Sequence, residues 1–102
     1  MNALLKLRKK IDLCDRELVN VFTRRFFLVK KIALFKKQNN IKSLDTIRWR
    51  EVLGQTLFLS KKKGLSSGFM KHIMNLIHKE SLRIEKHIIS QKPKYAPRNQ
   101  KK

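Results

Sequence analysis

Between Ala3 and Lys37 the chain has neither glycine nor proline, and its apolar residues recur with helical spacing. Leu4, Leu7, Ile11, Cys14, Leu18, Val21, Leu28, Ile32 and Phe35 follow at steps of 3 or 4, with one step of 7 that passes over position 25. Such a period marks one face of a helix. A helix of ~35 residues is ~50 Å long at 1.5 Å per residue, too long for a 102-residue chain to cover by itself. An uncapped pattern longer than ~25 residues points to a helical partner, so a dimer is expected.

The remaining punctuation divides the chain into three helices. Gln38-Asn39-Asn40 closes the first, and Ile41 to Leu44 form a loop. Asp45 or Thr46 opens a second helix with apolar positions at Ile47, Trp49, Val52, Leu53, Leu57 and Leu59. Gly54 within it costs ~1 kcal/mol relative to alanine, which predicts close packing there. Lys61-Lys62-Lys63-Gly64 stops it, with cations and a glycine where a helix C-terminus favours them. Ser66 or Ser67 caps a third helix whose stripe is Phe69, Ile73, Leu76, Ile77, Ile84 and Ile88. The pattern ends after Ser90. Residues 91–102 hold five cations, both prolines and no acid, the composition of a disordered basic tail. The expected fold is all-α, with one helical domain over 1–90 and that tail over 91–102.

The chain carries 26 Lys and Arg against 7 Asp and Glu, a formal charge of +19. That balance favours anionic partners. No apolar run exceeds four residues, whereas a membrane span needs ~20. Lys6, Arg8, Lys9 and Lys10 interrupt the region where a secretory signal would lie, so a cytoplasmic protein without membrane contact is expected. The single cysteine, Cys14, excludes an intrachain disulfide framework and a cysteine zinc site; on its stripe it reads as a small core residue. His72, His78 and His87 lack metal-ligand spacing, so no metal is expected. The charge and the tail suit a nucleic-acid-binding helical protein, but no known DNA- or RNA-reading motif is present.

A few charged residues break the apolar pattern. Arg25 occupies the skipped stripe position, where a guanidinium must face a cavity, turn outward or pair with an acid such as Glu51. Lys36 lies eleven residues on, within about 20° of the same face and ~16 Å along the axis. Arg8 lies ~25 Å in the other direction and ~100° round, so it meets Arg25 more readily across a dimer than within one chain. Asp45 and Arg48 share the first turn of the second helix. Ser81 and Glu85, one turn apart beside Ile77, Ile84 and Ile88, form either a satisfied helix surface or the wall of a wet pocket.

Together these residues form a pattern: Leu7-Arg8-x-x-Ile11-Asp12-x-x-Asp15, Arg24-Arg25, Lys36, Asp45-x-x-Arg48, then Ser81-x-x-x-Glu85. It resembles that of the all-α chorismate mutases of aromatic amino acid biosynthesis, the shikimate pathway, without a gap from residue 4 to 89. The resemblance implies a three-helix protomer in an intertwined homodimer, with each site taking one arginine, here Arg8, from the neighbouring subunit. It implies the pericyclic rearrangement of chorismate to prephenate, which needs no nucleophile, metal or cofactor. The protein must hold a dianion in a compact conformer and stabilise charge growing on the breaking ether oxygen. By resemblance, Arg25 and the neighbour's Arg8 bind the carboxylates, and Lys36 bridges the side-chain carboxylate and the ether oxygen. Arg48 and Ser81 line the ring-carboxylate end, and Asp45 contributes near the ring hydroxyl.

Two positions depart from the family pattern. Trp49 stands where the family usually has a glutamate that accepts the C4 hydroxyl, and tryptophan cannot accept a hydrogen bond. This keeps isochorismate pyruvate-lyase and 4-amino-4-deoxychorismate mutase as alternatives on the same fold, beside a degenerate, non-catalytic binder. Glu85 stands where many bacterial members have glutamine; as a carboxylate it repels the developing charge, so it helps only when protonated. Activity that rises below neutral pH is the expectation.

Overall fold

A computed structural model describes residues 2–91 of the chain. The order is α1 (Asn2–Gln38), α2 (Thr46–Lys62) and α3 (Ser67–Ser90), with no strand among the described residues. The expected tail, apart from Gln91, lies outside them.

The helix ends lie where the sequence chemistry predicts. At the end of α1, Asn40 takes a left-handed φ of 54°. The Ile41 N–H then reaches back to the Lys36 carbonyl at 2.8 Å, satisfying a terminal acceptor. Gly64, with φ 78°, does the same after α2, where the Leu65 N–H donates to the Ser60 carbonyl at 2.9 Å. Asp45 and Ser66 are the N-caps of α2 and α3, and their side chains accept from the N–H groups of Arg48 and Phe69.

The molecule is a thin slab of 72 × 31 × 14 Å, with a radius of gyration of 19.0 Å. A globular chain of this length has a radius near ~13 Å, so this protomer does not close on itself. α3 packs against both α1 and α2. Among the described residues, the buried apolar ones are only Val29, Ala33 and Met74.

The long first helix uses two faces. Its contact with α3 is made by the C-terminal half, through a stripe that includes Arg25, Val29, Ala33 and Lys36. The stripe read from the sequence is a different one, and it stays open. Leu7, Ile11 and Leu18 are 58%, 59% and 54% exposed, and every described residue before Phe22 is exposed. Cys14 is exposed as well, so within this chain it is not the core residue its position suggested.

Three other expectations are corrected. In α2 the inward positions are Trp49, the pair Val52 and Leu53, the pair Thr56 and Leu57, and Ser60, one face that recurs once per helical turn. Ile47 and Leu59 fall off that face and are exposed; Phe69 and Leu76 do the same on α3. Gly54 is exposed, and a methyl group built on it would meet nothing within 4 Å. Close packing is therefore not the reason for glycine there. No described helix is long and apolar enough to cross a membrane.

Candidate active site

The C-terminal half of α1, the start of α2 and the C-terminal half of α3 enclose a cavity of about 450 Å³. Helical spacing explains which side chains reach it. On α1, Arg25, Val29, Ile32 and Lys36 line it at steps of 3 and 4. α2 contributes Asp45, Arg48 and Trp49 from its cap and first turn, and α3 contributes His78, Ser81 and Glu85 from one face. Seven of the eight residues singled out from the sequence therefore converge on one cavity. Arg8 does not; it lies on the exposed N-terminal half of α1, ~25 Å of helix away from Arg25.

The polar groups are bonded to one another across the helices. Arg25 Nη1 donates to Ser81 Oγ at 2.8 Å, and Ser81 Oγ donates to the Ile77 carbonyl at 2.9 Å. Arg25 thus faces the cavity rather than turning to Glu51, whose partner is Arg48 at 3.5 Å. Lys36 Nζ donates to Glu85 Oε1 at 2.8 Å and to the Ser43 carbonyl at 2.7 Å. The Lys36 and Glu85 side chains are only 15% and 10% exposed. Ser81 and Glu85 are both buried, so they form the wall of a pocket rather than a solvated surface.

Three cations, Arg25, Lys36 and Arg48, face two carboxylates, Asp45 and Glu85. Burial, and then the positive charge of Arg48, lower the pKa of the Arg25 guanidinium from its ordinary value. An anion entering between the two arginines would relieve the second effect and offer each a charge-assisted bond. Asp45 Oδ1 accepts the Arg48 backbone N–H at 3.0 Å, which fixes the turn that carries Arg48 and Trp49.

The Trp49 indole stacks on the His78 imidazole, with centroids 4.0 Å apart and planes 7° from parallel. Trp49 therefore both packs and lines the cavity. His78 is a pocket residue outside the set the sequence singles out, where the histidines read only as lacking metal-ligand spacing. The signal was present: His78 stands at i−3 and i−7 from Ser81 and Glu85, on the same helical face. Burial lowers its pKa; Glu85 pulls the other way, and Arg25 adds to the lowering.

The fold and the cavity define an all-helical domain in which three helices line one small cavity and the first two supply its cations. Residues 7–86 match the family described as chorismate mutase type II, and the chain belongs to that family. It is 34% identical over 88 residues to a bifunctional chorismate mutase/prephenate dehydratase of Buchnera aphidicola from Acyrthosiphon pisum, covering 86% of this chain and 23% of that protein. A T-protein of Haemophilus influenzae is 30% identical over 81 residues, 79% of this chain and 22% of the relative. The chain thus spans just under a quarter of the length of these curated relatives.

Proposed function

We propose that this domain is a chorismate mutase that converts chorismate to prephenate by restraint and electrostatics. The observation that carries the reading is the convergence of Arg25, Lys36, Arg48 and Ser81 on one cavity, in a chain of the chorismate mutase type II family. Arg25 and Arg48 bind the two carboxylates and so select the compact conformer in which the reacting carbons meet. Lys36 donates to the ether oxygen as its bond breaks, where negative charge grows. Ser81 holds Arg25 in place. Asp45 sets the turn that carries Arg48. No proton is transferred and no group of the protein becomes covalently attached.

The site is completed by a second copy of the chain. The open stripe of α1 supports this: half-exposed Leu4, Leu7, Ile11, Leu18, Leu28 and Ile32 run along a helix with no cover of its own. Docked on its twin, α1 carries Arg8 of the partner subunit to the carboxylate end of the cavity. The result is an intertwined homodimer with two equivalent sites.

Trp49 favours a second reading, an isochorismate pyruvate-lyase, because it brings no acceptor of its own to the pocket. Incubation of the protein with chorismate and, separately, isochorismate distinguishes the two. Prephenate formation that Arg25→Ala reduces ~100-fold or more supports the mutase. Pyruvate and salicylate from isochorismate alone would transfer the protein to the lyase. Turnover should also change little between ~50 and 200 mM salt, where binding through many nucleic-acid phosphates collapses.

A further inference from the structure

We propose that His78 accepts the hydrogen bond of the ligand's ring hydroxyl, and that Trp49 is the positioning residue that fixes its imidazole. This rests on the mutase reading, and deepens it by assigning the neutral polar end of the substrate.

Two carboxylates of a ligand find donors in abundance, but its hydroxyl proton needs an acceptor, and a buried donor left without one is costly. Most of the pocket's other acceptors are engaged by the protein itself, and the two carboxylate oxygens left over, Asp45 Oδ2 and Glu85 Oε2, belong to charged groups set among the cations. Asp45 Oδ1 accepts from Arg48, Glu85 Oε1 and the Ser43 carbonyl accept from Lys36, and Ser81 Oγ accepts from Arg25. His78 lines the same cavity, and its side chain has no hydrogen bond among those formed by the described residues. The parallel Trp49 indole covers one ring face, and a face contact does not occupy the in-plane lone pair of an imidazole nitrogen. Trp49 contributes no acceptor but restricts the ring beside it.

The neutral imidazole is the form with an acceptor nitrogen. Arg25 and Lys36 of α1, Asp45 and Arg48 at the start of α2, and Glu85 of α3 share the cavity with His78. Burial and the nearby Arg25 favour the neutral ring, and Glu85 opposes them.

The test measures kcat/KM for chorismate and for the same dicarboxylate lacking the ring hydroxyl, in wild type, His78→Leu and His78→Gln. His78→Leu is expected to lose about tenfold on chorismate and little on the deoxy compound. His78→Gln, which retains an acceptor oxygen, is expected to stay within about threefold of wild type on both. As the pH falls below about 6.5, wild type should also lose activity relative to His78→Gln, which a merely structural role would not produce. If His78→Leu does not fold, this relative pH profile decides alone. Equal losses on both compounds, or unchanged discrimination, overturn the assignment while leaving the mutase reading intact. Wild-type protein that turns over neither compound overturns both.

Discussion

Replacing Glu85 by glutamine should make the enzyme faster at neutral pH, and the geometry gives the size of the effect. Lys36 Nζ lies 2.8 Å from Glu85 Oε1. In the proposed mechanism the same ammonium donates to the ether oxygen along another of its tetrahedral directions. At a similar distance, that oxygen sits about 4.6 Å from Oε1. A full negative charge opposite about half a charge, at an effective dielectric near 20, costs ~2 kcal/mol. The corresponding rate factor is ~30. Glutamine removes this repulsion and still offers an oxygen to Lys36. The assay is kcat/KM for chorismate from pH 5 to 8, expressed as the ratio of Glu85→Gln to wild type so that other titrating groups cancel. The ratio should be ~30 at pH 7.5. A ratio near one at every pH would refute the reasoning, because Glu85 would then not face the reacting oxygen.

Three further outcomes follow from the packing. Gly54→Ala should stabilise the fold by about 1 kcal/mol, since its methyl group would meet no neighbour and helix propensity alone acts; a melting temperature raised by about 4–8 °C checks it. Ile11→Lys, in the open α1 stripe, should leave helical content intact but shift the mass in light scattering from dimer to monomer, with loss of activity. His78 gives stability a pH dependence of defined sign. Its pKa is lowered on folding, so the unfolded chain takes up the proton first as the pH falls below about 6.5. The stability is therefore full above that pH and is lost as pH falls through the folded value. Urea unfolding at pH 7.5 and 5 should show wild type losing more stability than His78→Gln, and equal losses would refute the assignment.

Helix ends were legible in the sequence because their signals are local. Asn40 and Gly64 supply the left-handed residues, and Asp45 and Ser66 the caps. Seven of the site residues were legible because fixed spacings on helices become fixed directions. The placement of Arg25 and Lys36 on one face is a simple case, and both reach the cavity. What periodicity could not do was say which partner each face meets. The stripe from Leu4 to Phe35 is the more apolar, yet α3 packs on the neighbouring face of Val29 and Ala33. Ile47, Leu59, Phe69 and Leu76 were misplaced inward for the same reason: apolar character alone does not fix direction when so much apolar surface is left open. The Trp49–His78 stack joins two helices, and no spacing within either one reveals it.

In the proposed homodimer each site is built from two copies of the chain, and mixing two inactive variants tests this arrangement. Arg8→Ala and Arg25→Ala homodimers each lack one arginine in both sites. Unfolded together and refolded at equal concentration, they form mixed dimers in which one site regains both arginines and the other has neither. A two-fold dimer with random pairing predicts recovery of about a quarter of the wild-type rate of prephenate formation. No recovery, with mixed dimers demonstrated by mass spectrometry, would contradict the account.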